Sequence, residues 1–412
     1  MSKSEYVAGL DIGSGRITCV VGGPDPEGIG MRALAGSIVP CRGVKAGAVL
    51  NVAETARAIR QAVEKAEEAA GVEVRGVYLG VRGEHLRSFN NHGAYTIARS
   101  DREITAEDVH AVLSNAKAVP ISRDQEILHV IPQSYSLDRQ KGVPDPVGME
   151  GSILETDVHI VTASASILNN LMKSVAEAGF EVIEPVYSVL ALGEFLVSPE
   201  ERELGSLLVD FGGQTVSIAV FGEGGIKFTQ ELPIGADFIT RDLAVGLRTS
   251  IPSAEKLKIE HGVAHPKLSN GHNGEISFIG VDGRSPKQVK SSEMLTIVLP
   301  RVEEILTLVG DTVQNSGYGD LTVGGGAILT GGGALLRGIP EAVEQVLQLS
   351  ARLGLPHEGL IAGPQELMEA TYSTALALLA YPRSTTWSGA NVDRRADPRW
   401  MRKIRTFLKD LF

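Results

Sequence analysis

Apolar positions along this chain fall into two rhythms, and each change of rhythm marks an element. Residues 6–10 (YVAGL) form a short apolar run that ends in Asp-Ile-Gly-Ser-Gly, and residues 17–21 form a second β-rich run. Two such runs around a glycine turn predict a hairpin. From 51 to 70 the spacing becomes helical: Val52, Ala56, Ile59 and Val63 share a face, Asn51 and Glu54 form a capping-box-like pair, and Gly71 stops the run. Residues 74–81 return to a strand pattern.

Residues 85–163 read as a separate module. Thr105 caps a helix over 105–117, with Asp108 three residues on; strands are expected near 93–98, 126–132 and 158–162. Residues 138–151 are rich in Pro and Gly and read as loop. An amphipathic helix over 166–178 closes at Gly179. A second half then begins, with strands at 207–210 and 216–221 around Phe-Gly-Gly-Gln. Ser253 is expected to cap a helix over 254–261 that Gly262 stops, and 263–290 to be an elaborated hairpin or loop. A long helix over 293–313 should kink at Pro300. A strand at 327–330 leads into Gly331-Gly332-Gly333, and a helix begins near 340.

Composition narrows the class. The chain has 412 residues, enough for two to four domains, with 43% hydrophobic and 22% charged residues, as in a folded globular protein. Its two cysteines, Cys19 and Cys41, make neither a disulfide scaffold nor a Cys-rich metal site. A net charge of −11 argues against a nucleic-acid binder. There is no P-loop, H-E-x-x-H or G-x-S-x-G motif, no signal-peptide pattern and no run of 18 apolar residues, so the expected compartment is the cytoplasm. His261 and His265 lie four apart, but Gly262 and Pro266 suggest a helix end rather than a ligand face.

One internal repeat carries chemistry. Residues 11–21 (DIGSGRITCVV) align without gaps on 210–220 (DFGGQTVSIAV): strand, Asp-x-Gly-[Ser/Gly], strand. A glycine turn has no Cβ to block approach, so its N–H groups can face phosphate oxygens, and an aspartate ending the first strand can hold a hydrated Mg²⁺. Two such turns would clamp a nucleotide. Asp11 and Asp210 are the candidates for the metal, and Gly13, Ser14, Gly15, Gly212, Gly213 and Thr215 for the phosphates. The triple glycine Gly331, Gly332 and Gly333 would let a base or ribose lie against backbone.

These residues resemble the nucleotide site of the actin/Hsp70/sugar-kinase superfamily. Residues 11–21 look like its first phosphate motif, 210–220 like the second and 328–338 (ILTGGGALLRG) like its adenosine motif. Glu184-Pro185 with Ala191 and Gly193 is similar to the connecting motif, which implies that Glu184 orients the attacking water; residues 253–258 (SAEKLK) resemble the ribose-contacting helix, with Glu255 and Lys258 as contacts. Within the superfamily the chain is most similar to the FtsA family of bacterial cell-division actins. The resemblance implies an α/β fold: a duplicated actin-like ATPase of two lobes, each a mixed β-sheet with helices, carrying an inserted 1C-type subdomain and a C-terminal amphipathic helix. Expected bounds are 1–84 and 164–204 for lobe 1, 85–163 for the 1C-like module, 205–236 and 301–370 for lobe 2, and 237–300 for a 2B-like subdomain. Residues 371–381 would be a helix returning to lobe 1 and 382–398 a linker. Gln214 departs from the motif, which has glycine there in many relatives.

The last 14 residues, RWMRKIRTFLKDLF, place Trp400, Met401, Ile404, Phe407, Leu408, Leu411 and Phe412 on one helical stripe, with Arg402, Lys403, Arg405 and Lys409 on the polar side. At about 1.5 Å per residue such a helix is about 21 Å long, too short to cross a roughly 30 Å hydrocarbon core but suited to lie on it. From Arg383 on, eight basic residues meet three acidic ones, a net +5, which leaves −16 on the preceding 382 residues. A basic amphipathic end suits anionic lipid. The expectation is a cytoplasmic-face peripheral membrane protein at the bacterial division site. It would bind ATP and Mg²⁺, be at most a weak ATPase, and form filaments with itself. It would bind the FtsZ C-terminal peptide through Arg301 and Glu304 and other division proteins through 85–163, and would bind no nucleic acid. A pilus-assembly adaptor and a sugar- or acetate-kinase-like phosphotransferase are the alternatives.

Overall fold

The computed structural model describes residues 6–25, 31–99, 102–269, 275–356 and 360–381. These divide into two compact units, one of residues 6–90, 120–130 and 159–381 and one of residues 91–119 and 131–158.

The larger unit opens with β1 (Val7–Ile12), β2 (Arg16–Pro24) and β3 (Met31–Pro40), each antiparallel to the last. Two short strands, β4 (Val44–Lys45) and β5 (Ala48–Val49), pair as a small hairpin. Helix α1 (Val52–Ala70) starts where the Asn51 side chain accepts the Glu54 N–H at 3.0 Å and stops at Gly71, which takes a left-handed φ of 67°. Its face of Ala56, Ile59, Ala62, Val63 and Ala66 is buried and packs on β2 and β3; full burial of Ile59 or Val63 contributes about 1.5–3 kcal/mol each. β6 (Gly76–Val81) then runs parallel to β1.

In the smaller unit, β7 (Arg87–Thr96), α2 (Ala106–Lys117), β8 (Gln125–Leu137), β9 (Gln140–Val143) and β10 (Ile153–Ser164) build a four-stranded sheet of order β7-β10-β8-β9; residues 87–90, 125–130 and 159–164 of these strands belong to the larger unit. The expected cap of α2 is present as a full capping box between Thr105 and Asp108. The Arg99 hydrogen bond, with those from Thr105, holds the Asp108 carboxyl down to about 2. Residues expected only as loop contain β9. The β8–β9 turn places Asp138 and Arg139 at positive φ, and the Asp138 carboxylate accepts the N–H groups of Ser152 and Ile153. That carboxylate supplies the partners a bare loop would lack.

Chain then returns to the larger unit through α3 (Ala165–Ala178), β11 (Glu181–Tyr187), the wholly buried α4 (Ser188–Leu196) and α5 (Pro199–Leu204). The second half follows: β12 (Ser206–Phe211), β13 (Val216–Gly222), β14 (Gly225–Leu232), α6 (Ala236–Leu247), α7 (Ile251–His261), α8 (Pro266–Ser269), β15 (Glu275–Ile279), β16 (Pro286–Lys290), α9 (Ser291–Asn315), β17 (Ala327–Thr330), α10 (Ile339–Leu347) and β18 (Ala351–Leu353). Helix α7 starts earlier than expected because Ser250, not Ser253, is its cap and Pro252 takes a first-turn position. Helix α9 is one element with Pro300 inside it. β15 and β16 form the hairpin expected within 263–290.

The chain finally rejoins the first sheet through β19 (Ile361–Ala362), which is parallel to β3, and α11 (Ser373–Ala380). The return thus begins about ten residues before the 371 expected from sequence. Helix α11 lies so close to β1 that a Cβ on Gly9 would come 1.9 Å from the Ala375 carbonyl oxygen, so only glycine fits there. Among the described residues no helix is long and apolar enough to cross a membrane.

The two large sheets repeat one design. The first has the order β11-β6-β1-β2-β3-β19 and the second β14-β13-β12-β17-β18, so β3-β2-β1-β6 corresponds to β14-β13-β12-β17. Register repeats too: Asp11 pairs with Thr18 and Ile12 with Ile17, as Asp210 pairs with Ser217 and Phe211 with Val216. β6 is parallel to β1 as β17 is to β12.

Candidate functional site

Each repeated turn is closed by the same bond. Gly13 N–H donates to Arg16 O at 3.0 Å, and Gly212 N–H to Thr215 O at 3.0 Å. Both turns border one cleft of about 950 Å³ inside the larger unit. Asp11 and Asp210 line it, and so do Gly13, Ser14, Gly15, Gly212, Gly213, Thr215, Glu255, Lys258, Gly331, Gly332 and Gly333. The third glycine motif is shaped around an aspartate: Gly331 has φ of 84°, and a Cβ there would come 2.3 Å from Asp210 Oδ1.

Between the aspartates lies a residue that sequence reading missed. Arg82, just past β6, places Nη2 2.9 Å from Asp11 Oδ1 and Nη1 3.3 Å from Asp210 Oδ2. Nη2 also donates to Thr374 Oγ1 at 3.3 Å. Burial by itself would lower the pKa of this guanidinium, but Asp11, Asp210 and Glu231 raise it above its ordinary value. Burial pushes the Asp210 carboxyl up, opposed by the charge of Arg82 and reinforced by that of Asp11. No local pattern marks Arg82; strand pairing places it. Gly80 is the partner of Asp11 across parallel strands, so the residue two further on emerges at the carboxyl end of the sheet beside the turn.

Gln214, the odd residue of the second turn, also spans the cleft. Its Oε1 accepts the Ala46 N–H at 3.0 Å while its Nε2 donates to Asp237 Oδ2 at 3.1 Å, and the same Ala46 N–H lies 3.1 Å from Ser14 Oγ. A third tie joins the halves through Glu231, whose Oε2 accepts the Gly83 N–H at 3.1 Å. Burial raises Glu231 to about 7, against the pull of its bonds from Ser217, Tyr187 and Gly83 and of the Arg82 charge. On the opposite wall Lys258 is nearly buried, with Nζ donating to Thr240 Oγ1 at 2.8 Å and Ala236 O at 3.1 Å and lying 2.7 Å from Glu255. Two of its donors therefore tie α7 to α6, and the third stays within α7 at Glu255. Ile251, Ile259, Leu335 and Leu336 add apolar surface suited to a flat base.

The expected divalent-metal pair does not fit the donors as they stand. Both carboxylates already face one guanidinium, so a metal ion seated directly on them would compete with Arg82. Glu184 is not brought to the cleft either. Gly80 is level with both Asp11 and Val186, so Glu184 sits two residues, about 6.6 Å, back along β11, and it is absent from the lining.

Arg301 and Glu304 lie apart from the cleft on α9. The Arg301 side chain is 24% exposed, pinned by Asp242 with Nε–Oδ2 at 2.6 Å, paired with Glu304, and placed 5.8 Å over the Phe238 ring. The stripe from Trp400 to Phe412, and the linker before it, lie outside the described residues.

The duplicated sheets, the inserted module and the cleft define a two-lobed, actin-like protein. Solved structures share that fold: a PilM–PilN type IV pilus biogenesis complex at a TM-score of 0.65 and 16% identity, covering 93% of this chain and 98% of that one, and MreB5 of Spiroplasma citri bound to ADP at 0.53 and 13%, covering 95% and 99%. At such identities the likeness is one of fold. Residues 83–162 match the SHS2 domain inserted in FtsA, and residues 207–377 match cell division protein FtsA. Cell division protein FtsA of Pseudomonas aeruginosa is 36% identical over 382 residues, 92% of this chain and 90% of that protein. That of Escherichia coli (strain K12) is 31% identical over 426 residues, 99% and 98%. The chain belongs to the FtsA family of cell-division actin-like proteins.

Proposed function

We propose that this chain binds ATP in the cleft, assembles with itself, and tethers FtsZ filaments to the cytoplasmic membrane. The observation that carries the nucleotide reading is the pair of identically registered Asp-x-Gly turns facing one cleft, with the Gly331–Gly333 turn beside them. With the Gly13 and Gly212 N–H groups used to close the turns, the backbone N–H groups of Ser14, Gly15 and Gly213 suit phosphate oxygens, and the Gly332 face with Leu335 and Leu336 suits a base. The family supports FtsZ as the partner, and the pinned Arg301–Glu304 pair on α9 is the candidate contact. A basic amphipathic stripe from Trp400 to Phe412 supports the membrane end. ATP turnover would be slow and serve as a switch, and the module over 85–163 would recruit other division proteins.

Co-sedimentation with anionic liposomes, with and without ATP, tests these parts together. The full chain should pellet and carry FtsZ with it. A chain ending at Pro398 should stay in the supernatant; if it pellets equally well, the anchor is elsewhere. Reversing charge at Arg301 and Glu304 should leave the chain on the liposomes but strand FtsZ in solution, and continued FtsZ recruitment would rule that contact out.

A further inference from the structure

We infer that Arg82 is the resident cation of the phosphate site, taking toward the nucleotide's phosphates the part that a divalent ion on Asp11 and Asp210 would otherwise take, so that nucleotide binds this chain with little dependence on Mg²⁺. The inference rests on the nucleotide reading above and deepens it. Two turns that would cradle phosphates each end a strand in a carboxylate, and a polyanion cannot approach two carboxylates without a cation between them. The guanidinium is already there, 2.9 Å from Asp11 and 3.3 Å from Asp210, and it belongs to the cleft lining. Its Nη1 also lies 3.7 Å from where a Cβ on Gly212 would be, next to the backbone of the second turn.

Only the first half supplies such a group from the residue just past its parallel strand. In the second half the equivalent position, two residues beyond the strand partner of Asp210, is Gly332. A Mg²⁺ ion seated directly on these carboxylates would have to displace a side chain that faces both of them and Thr374. Arginine instead presents five fixed donors that match phosphate geometry.

The test is ATP binding by calorimetry to the full chain, in excess EDTA and in excess MgCl₂. The unsubstituted chain should differ by less than about threefold between the two, whereas R82S should bind about tenfold or more weakly in EDTA and recover with Mg²⁺. R82K, which retains the charge within the same pocket, should stay metal-independent, and thermal unfolding checks that each variant is folded. If the unsubstituted chain binds ATP only with Mg²⁺, or R82S binds equally well in EDTA, Arg82 merely ties the lobes and the inference fails while the nucleotide reading stands. If no ATP binds under either condition, both fail.

Discussion

The two halves of the larger unit are one strand–turn–strand device built twice, and they part company where a parallel strand ends beside each aspartate. In the first half β6 runs on into Val81-Arg82-Gly83, and a charged side chain crosses to both carboxylates. In the second half β17 runs on into Gly331-Gly332-Gly333, and backbone alone faces the cleft. Strand register is fixed by burial on both faces, since a slip of one residue would turn every side chain over. The residue just past a strand is free of that demand. One copy therefore became a surface without side chains and the other a fixed cation, so the asymmetry of the site arises at strand ends rather than in the sheets.

The largest effect should come from giving the second half a side chain where it has none. Gly331→Ala puts a Cβ into Asp210 Oδ1 and Phe211 O at a left-handed φ. It should cost about 3 kcal/mol or more in urea unfolding, and a loss below about 1 kcal/mol would show that the turn relaxes freely.

Glu231 tests the tie between the halves through its proton. Its folded pKa, about 7, lies above its ordinary 4.5, so the folded state holds the proton more tightly. That contribution is complete below about 4.5 and is lost as pH rises through about 7. From pH 5 to 8 the chain should therefore lose stability relative to Glu231→Gln, by on the order of 3 kcal/mol, in paired thermal melts. Parallel pH profiles would mean that Glu231 is ionised throughout.

The smallest effect should come from Gln214→Gly, which makes the second turn Gly-Gly-Gly and removes the side-chain bond to Ala46. A loss of about 1 kcal/mol is expected, measured by the same melts. No change would show that Ser14 Oγ satisfies the Ala46 N–H alone.

Much of this was legible without coordinates. The caps at Asn51, Thr105 and Gly179, the hairpins at both Asp-x-Gly turns and the repeat itself are local signals, and they stand in the structure. The cap of α7 was misplaced because Ser250 and Ser253 are both good caps, and Pro252 decides between them. Glu184 was expected at the cleft from its motif, but the register of β11 against β6 holds it back. The link between Gln214 and Ala46 joins residues 168 apart, and no local pattern encodes it.

By itself the sequence determined the elements, their duplication and the glycines and aspartates that border the cleft, because periodicity, capping and turn chemistry act over a few residues. Only the tertiary structure decided which charges meet. Arg82 stands 71 positions from Asp11 and 128 from Asp210, and Glu231 lies on the far half from Gly83. Electrostatics acts through space, so whether two carboxylates await a metal ion or already hold an arginine depends on where separate strands end beside one another.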